Sequence, residues 1–122
     1  MIKGIGTDII EINRLHAAFQ RRPALEKRLF TAEEILYCRE KHNPYPSFAV
    51  RFAAKEAVLK ALGTGLRKCS WQEINIEVNS MGAPQVKLTG QAAIIASQRG
   101  IEQWHLSLAH SADYAIAYVA GE

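Results

Sequence analysis

The sequence FAVRFAAKEAVLKAL occupies residues 48–62 and is the stretch that most strongly determines the fold. Eleven of its fifteen residues are apolar and fall on every side of a helix, so the helix should be buried all round. Ser47 can cap its first turn, and Gly63 can end it in a left-handed conformation. The stretch therefore predicts a long central helix against which the rest of the chain packs.

Four charged side chains interrupt this apolar helix, namely Arg51, Lys55, Glu56 and Lys60. Burying a charge without a partner is costly. One explanation is internal pairing, because Glu56 and Lys60 are spaced i,i+4, but that pair would leave Arg51 and Lys55 with no partner. The other explanation is a ligand site. Small residues on the Glu56 side would let a ligand come close: Ala49, Ala53 and Ala57.

Residues 2–10 alternate in character and predict a strand that buries most of its surface. One face carries Ile5 and Ile9, and the other carries Gly4, Gly6 and Asp8. The two glycines should leave open space above the Asp8 carboxylate. Asp8 could end the strand and cap the helix that follows it. Alternatively, Asp8 and Glu56 could together bind Mg²⁺, which prefers hard oxygen ligands.

The remaining elements predict an α+β fold with a mostly antiparallel sheet packed on the central helix. Helices are expected near residues 13–21, 24–29, 32–41 and 91–99, the third of them starting with a Thr31–Glu34 capping box. Strands are expected at residues 73–79, 86–88, 104–109 and 114–119. No linker or repeat divides residues 1–122, so we expect a single domain.

The charge is distributed unevenly along the chain. Residues 1–69 carry a net charge of +6 and residues 70–122 a net charge of −3. The first part could attract nucleic acid, a phosphorylated small molecule or an acidic protein, or could simply be a solvated basic face. The sequence has no membrane-spanning stretch, and its two cysteines have no metal-ligand spacing. We therefore expect a cytoplasmic protein with reduced thiols.

Two further sites carry groups that could bind phosphate. His110 stands at a strand end beside Ser111, where phosphate binding competes with a purely structural role. Gly63-Thr64-Gly65 could offer backbone N–H groups to a phosphate, although a helix stop is the simpler function. The segment containing Gly4 and Gly6 lacks the third glycine of a dinucleotide-binding fingerprint.

Three segments in the right order resemble the holo-acyl-carrier-protein synthases. The first is Gly4-Ile5-Gly6-Thr7-Asp8-Ile9-Ile10-Glu11-Ile12. The second is Arg51-Phe52-Ala53-Ala54-Lys55-Glu56-Ala57, followed by Lys60-Ala61-Leu62-Gly63-Thr64-Gly65. The third is Leu106-Ser107-Leu108-Ala109-His110-Ser111, followed by Asp113-Tyr114-Ala115. The resemblance spans nearly the whole chain and implies the 4′-phosphopantetheinyl transferase fold.

The resemblance implies transfer of 4′-phosphopantetheine from coenzyme A to a serine of an acyl carrier protein, in support of fatty acid biosynthesis. It assigns Mg²⁺ to Asp8 and Glu56, and Lys60 to charge neutralisation at the reacting phosphate. It also implies a set of coenzyme A contacts, namely Arg51, Lys55, Lys60, Gly63, His110 and Ser111. Larger relatives have a third carboxylate where this chain has Ile10, so a water is expected there. Glu56 is the candidate general base.

The resemblance also implies a homotrimer whose sites lie between subunits, with apolar strand faces forming the contact. Carrier proteins are acidic, so the docking surface should be basic. The exposed positive charges expected to form it are Arg14, Arg21, Arg22, Lys27 and Arg28. Two alternatives stay open: a small basic nucleic-acid-binding module, and a structural subunit in which Glu56 and Lys60 form a buried pair.

Overall fold

The computed structural model describes residues 1–65 and 68–122 and confirms the α+β class. In chain order, the elements are β1 (Gly4–Glu11), α1 (Ile12–Arg21), α2 (Leu25–Leu29), α3 (Ala32–Arg39), α4 (Tyr45–Leu62), β2 (Ile74–Val78), β3 (Pro84–Leu88), α5 (Gly90–Gln98), β4 (Trp104–His110) and β5 (Tyr114–Gly121). A 3₁₀ turn, Trp71–Glu73, precedes β2. Each predicted element is present, with ends shifted by a few residues.

The strands form two antiparallel sheets. The larger sheet has the order β1-β5-β4, so the first strand pairs with the last one. β2 and β3 form a separate hairpin, in which Ile74 pairs with Leu88. Within the described residues every strand pairing is antiparallel, in agreement with the predicted sheet.

Helix α4 lies at the centre of the molecule, as its apolar sequence predicts. It packs against β1 and β5 of the larger sheet and also contacts α1, α3 and β2. Gly63 ends it with φ of 79°, the left-handed conformation expected of a glycine stop. Its start was predicted incorrectly: the helix begins at Tyr45, and Ser47 lies inside the first turn and provides no cap. Pro46 is tolerated there because the first helical N–H groups have no intrahelical acceptor.

The glycine face of β1 lies directly against α4, so the predicted open space above Asp8 does not exist. A Cβ atom added to Gly6 would lie 1.9 Å from the Ala57 carbonyl oxygen, and one added to Gly4 would lie 2.1 Å from that of Ala61. The glycines and the helix alanines therefore allow two backbones to approach closely. This close approach brings the Asp8 carboxylate to the surface of α4.

The isoleucine face of β1 is exposed, which contradicts the expectation of a strand buried on most of its surface. Ile5 is 70% exposed and Ile9 is 60% exposed. The neighbouring strand β5 continues this face with Tyr114, Ile116 and Tyr118. One side of the larger sheet thus packs on α4 while the other presents apolar side chains that no helix covers. Among the described residues, no helix has the length and apolarity to cross a bilayer.

Candidate active site

Asp8 occupies the middle of β1 and faces α4. The strand continues three residues further to Glu11, whose side chain makes no capping hydrogen bond to α1, so Asp8 does not end the strand as one interpretation expected. Asp8 pairs across the sheet with Ala117. Its Oδ2 atom is buried and has no hydrogen-bond partner among the residues described. A buried oxygen of this kind is typical of a ligand position.

Glu56 lies beside Asp8, on the face of α4 that meets β1. Burial raises the pKa of Glu56, and the neighbouring Asp8 raises that pKa further by its charge and by a hydrogen bond, while Lys60 lowers it. Two carboxylates in such proximity disfavour double ionisation unless a cation is added. Within the described part of the chain, no third His, Cys, Asp or Glu joins them to form a larger metal-binding group.

Lys60 connects the helix to the strand. Its Nζ donates to the Thr7 carbonyl oxygen at 2.8 Å and lies 3.4 Å from Asp8 Oδ1. The Glu56–Lys60 ion pair expected from their spacing is not among the ion pairs of residues 1–65 and 68–122, where Lys60 pairs with Asp8 instead. The side chain stays 55% exposed, so its ammonium group can still receive an anion from solvent.

A cavity of about 520 Å³ opens next to these charges. Its lining residues are Glu56, Leu59, Lys60, Gly63, Gly65 and Trp71. Gly63 and Gly65 both have positive φ, so this turn combines the helix stop with a wall of the cavity. Trp71 is a cavity residue that the sequence did not single out. The Ser70–Glu73 capping box that fixes it was the available signal, since it marks the start of a turn.

Lys55 does not line this cavity, which corrects its expected role as a phosphate contact. Its side chain is fully buried, and Nζ lies 2.6 Å from Glu34 Oε1, 2.9 Å from the Leu29 carbonyl oxygen and 3.1 Å from the Trp71 carbonyl oxygen. An ammonium group has three donors, so all three are engaged. Burial lowers the pKa of Lys55, and the ion pair with Glu34 opposes that shift.

Arg51 lies in a different cavity, so one chain does not bring all the expected phosphate contacts together. This second cavity has a volume of about 400 Å³ and lies between α3, α4 and the β2–β3 hairpin. The Arg51 guanidinium stacks 4.2 Å from the ring centroid of Tyr37 and donates to the Ser47 carbonyl oxygen. Its Nε is buried with no hydrogen-bond partner among the described residues. An anion would have to reach the guanidinium from a cavity that Arg51 lines, because the residue is only 6% exposed.

His110 and Ser111 lie at the exposed turn between β4 and β5. Ser111 Oγ accepts hydrogen bonds from the backbone N–H groups of Asp113 and Tyr114, at 3.3 and 3.2 Å, and so shapes the turn. The His110 ring stays in solvent, with Nδ1 3.3 Å from the Ser111 carbonyl oxygen. Neither residue lines the Glu56 cavity.

The basic residues expected to form a docking surface are exposed. They lie on α1, α2 and the connection between them: Arg14, Arg21, Arg22, Lys27 and Arg28. Helix α1 begins directly after β1, so the first basic residue of this surface, Arg14, lies six residues after Asp8. Arg14 also lines a small cavity with Ile10 and Phe52.

Comparison with known proteins identifies this site's family. A model of the 4′-phosphopantetheinyl transferase superfamily matches residues 4–119. The chain is 45% identical over 113 residues to the holo-[acyl-carrier-protein] synthase of Caldanaerobacter subterraneus, covering 93% of this chain and 89% of that protein. It is 48% identical over 112 residues to the enzyme of the same name from Moorella thermoacetica, covering 92% of this chain and 88% of that protein.

Solved structures agree with these sequence matches. The holo-[acyl-carrier-protein] synthase of Neisseria meningitidis superposes with a TM-score of 0.92 at 35% identity, covering 100% of this chain and 99% of that one. The Helicobacter pylori enzyme, solved in complex with coenzyme A, superposes with a TM-score of 0.85 at 31% identity, covering 97% and 99% of the two chains. The chain therefore belongs to the 4′-phosphopantetheinyl transferase superfamily and is an enzyme of its holo-[acyl-carrier-protein] synthase family.

Proposed function

We propose that the protein transfers 4′-phosphopantetheine from coenzyme A to a serine of an apo acyl carrier protein and releases adenosine 3′,5′-bisphosphate. The observation that carries this proposal is the grouping of Asp8, Glu56 and Lys60 beside one cavity. The reaction would serve fatty acid biosynthesis in the cytoplasm, with residues 1–122 acting as one domain. The nucleic-acid-binding alternative gains no support from the family match.

Mg²⁺ is the proposed cofactor, and Asp8 and Glu56 would hold it. Both side chains fit a divalent cation, because Asp8 Oδ2 is buried without a partner among the described residues and Glu56 resists ionisation beside it. A cation would compensate both carboxylates. When bound, Mg²⁺ would supply positive charge to the pyrophosphate oxygens of coenzyme A.

The transfer exchanges one phosphorus–oxygen bond for another. The carrier-protein serine oxygen attacks the phosphorus nearest to pantetheine, and the bond from that phosphorus to the bridging oxygen breaks. Glu56 would take the serine proton. Lys60 is exposed enough to reach the departing phosphate and neutralise its charge.

The other coenzyme A contacts are proposed to come from two copies of the chain. Gly63 lines the Glu56 cavity, whereas Arg51 lines a separate one and His110 and Ser111 lie at a distant turn. A homotrimer with sites between subunits would join these halves. The uncovered apolar face of the larger sheet, which includes Ile5, Ile9 and Tyr118, supports such an assembly.

One assay tests the proposed function. The protein is incubated with coenzyme A, Mg²⁺ and an apo acyl carrier protein, and the mass of the carrier protein is measured by mass spectrometry. We expect the mass to rise by one phosphopantetheine group, and to stay unchanged on a carrier whose acceptor serine is replaced by alanine. If no carrier from a panel of apo carrier proteins gains this mass, the proposed reaction is wrong.

A further inference from the structure

The buried ammonium group of Lys55 joins three separate parts of the fold. Its acceptors are a carboxylate oxygen of Glu34 on α3, the carbonyl oxygen of Leu29 at the end of α2, and the carbonyl oxygen of Trp71 in the 3₁₀ turn. Lys55 is 0% exposed and Glu34 is 1% exposed. The Lys55 and Glu34 side chains therefore lie in the protein interior, out of reach of a substrate.

The Glu34 side of this contact is rigidly held. Glu34 Oε1 accepts from the Thr31 backbone N–H at 2.9 Å, and Oε2 accepts from the Ile76 backbone N–H at 2.9 Å. The carboxylate is thus fixed by α3 and β2 at the same time. Lys55 is in turn fixed by its position on α4. Its ammonium group can therefore hold the Leu29 and Trp71 carbonyl groups in place.

The Trp71 side of this contact belongs to the proposed active site. Trp71 forms one wall of the cavity that also contains Glu56 and Lys60. Its ring packs on Phe52 of α4, with 5.0 Å between the ring centroids. The next residue, Gln72, donates its side-chain amide to the Lys27 carbonyl oxygen on α2. Two side-chain hydrogen bonds therefore hold this cavity wall: Lys55 links it to α4, and Gln72 links it to α2.

A buried ion pair is weak grounds for stability by itself, because apolar residues of similar volume often replace one without loss. Here the ammonium does something that an apolar side chain cannot do. It donates to two backbone carbonyl groups that belong to different segments and brings both to α4, one residue before Glu56.

We propose that Lys55 is a positioning residue that sets the shape of the coenzyme A cavity by holding the Trp71 carbonyl group against α4. This inference rests on the proposed function, since it concerns the same cavity. It replaces the direct phosphate contact that the family resemblance implies for this lysine.

Two single variants separate positioning from general stabilisation. Lys55→Met keeps the length of the side chain but removes all three donors. Glu34→Gln breaks the same ion pair but leaves Lys55 Nζ facing the Leu29 and Trp71 carbonyl groups. Both lose stability, because each leaves a buried group without its charged partner. Both are assayed at a temperature at which circular dichroism shows them folded.

We expect Lys55→Met to raise the coenzyme A KM by roughly tenfold or more, since small misplacements of a substrate-binding wall have effects of that size. Glu34→Gln should keep a coenzyme A KM within about twofold of the wild type despite its lower melting temperature. Equal KM changes in the two variants, in proportion to the stability lost, would overturn the proposal. If Lys55→Met does not fold, the double variant Lys55→Met with Glu34→Gln replaces it, because that variant buries no unpaired charge. We expect the same rise in the coenzyme A KM from the double variant.

A second measurement does not depend on transferase activity. In a Trp104→Phe background, Trp71 is the only tryptophan, so acrylamide quenching of its fluorescence reports how well the cavity wall is held. We expect stronger quenching after Lys55→Met and unchanged quenching after Glu34→Gln. Unchanged quenching in both variants would refute the inference even if the wild type transfers phosphopantetheine, and an inactive wild type with the expected quenching would refute only the proposed reaction.

Discussion

Asp8 and Glu56 show how two ordinary carboxylates acquire unusual properties from their surroundings. Neither has an ion-pair partner on its own secondary-structure element, and each is brought to the other by the close approach of β1 and α4. Burial raises the pKa of Glu56, and repulsion by the Asp8 charge raises it further. A bound cation is the simplest way to relieve that repulsion, so substitutions here should separate stability from activity.

Replacing Glu56 by Gln should keep the fold and remove most activity. A neutral amide is a poor ligand for Mg²⁺ and cannot accept the serine proton, so we expect transfer to fall by roughly 10²-fold or more. Steady-state assays across a Mg²⁺ titration provide the measurement. The control is Glu102→Gln, which makes the same change at an exposed carboxylate outside this pair. A Glu56→Gln enzyme with wild-type turnover and Mg²⁺ response would exclude Glu56 from the site.

The raised pKa of Glu56 predicts how stability depends on pH. A carboxyl group with a higher pKa in the folded chain holds its proton more tightly when folded. Glu56 therefore contributes fully to the free energy of unfolding at pH values below its pKa in the unfolded chain. This contribution is lost as the pH rises through its pKa in the folded chain. Metal-free protein should lose this contribution above that range, and added Mg²⁺ should stabilise it more at pH 7 than at pH 5. The test is to measure melting temperatures at both pH values, with and without Mg²⁺. In Glu56→Gln, the stabilisation by Mg²⁺ should differ less between pH 5 and pH 7.

His110 allows a test with a modified substrate. Dephospho-coenzyme A lacks the 3′-phosphate, so it should bind more weakly than coenzyme A if His110 contacts that group. His110→Ala should then reduce the difference between the two ligands, as measured by calorimetry. His105, which is also exposed and instead contacts Glu122, provides a matched control as His105→Ala. Equal weakening of both ligands by His110→Ala would place His110 elsewhere.

At the level of single residues, the sequence located the charged groups and suggested that Asp8 and Glu56 act together, but it did not reveal the partner of Lys55. Asp8 and Glu56 were identified because each is out of place in its element. The partner of Lys55 could not be found, because Glu34 lies on another helix and already had a local explanation as a capping residue. Local patterns reveal which charges need a partner, whereas the partner depends on the tertiary packing of α3 against α4.

Elements were predicted more reliably than the contacts between them. The apolar composition of residues 48–62 identified a buried central helix, and residues 73–79 and 86–88, with the turn between them, identified a hairpin. The glycines of β1 were misinterpreted, because a missing side chain can mean either empty space or a neighbouring backbone. The structure shows the second, with the Ala57 carbonyl oxygen filling the position of a Gly6 side chain.

Gly6→Ala tests this helix–strand contact. The new methyl group would overlap a backbone oxygen that cannot rotate away, so β1 and α4 must separate. We expect a loss of about 1–3 kcal/mol in the free energy of unfolding, the usual cost of overpacking, together with weaker Mg²⁺ binding. Thr7→Ala on the opposite, exposed face of the strand is the control. Wild-type stability and Mg²⁺ affinity in Gly6→Ala would show that the contact is not a constraint.

Helix α1 offers a test of carrier-protein docking. Arg14 and Arg21 are exposed and two helical turns apart, so reversing both charges should repel an acidic partner. We expect Arg14→Glu with Arg21→Glu to raise the carrier-protein KM strongly and to leave coenzyme A binding unchanged. Added salt should weaken the wild type more than the variant. Lys87→Glu on the hairpin is the charge-reversal control, and an unaltered carrier KM in the α1 variant would show that these arginines only solubilise the helix.

The whole molecule presents an apolar sheet face that a monomer would leave in water. Ile5, Ile9 and Tyr118 are each at least 60% exposed on that face. We expect light scattering at micromolar concentration to give the mass of a trimer, and Ile9→Asp to shift it toward the monomer because the contact would bury a charge. Leu36→Asp, also at an exposed apolar residue but on α3, should stay trimeric. A wild-type monomer with full activity would contradict the assembly.

The pairing of the first strand with the last one sets the order of events during synthesis. Residues 4–11 complete their hydrogen bonds only with residues 114–121, so a ribosome must release almost the entire described chain before Asp8 can be held opposite Glu56. Such long-range pairing is slow compared with helix formation. A polypeptide that ended before residue 114 would therefore lack the partner strand of β1 and, with it, the sheet that holds Asp8 opposite Glu56.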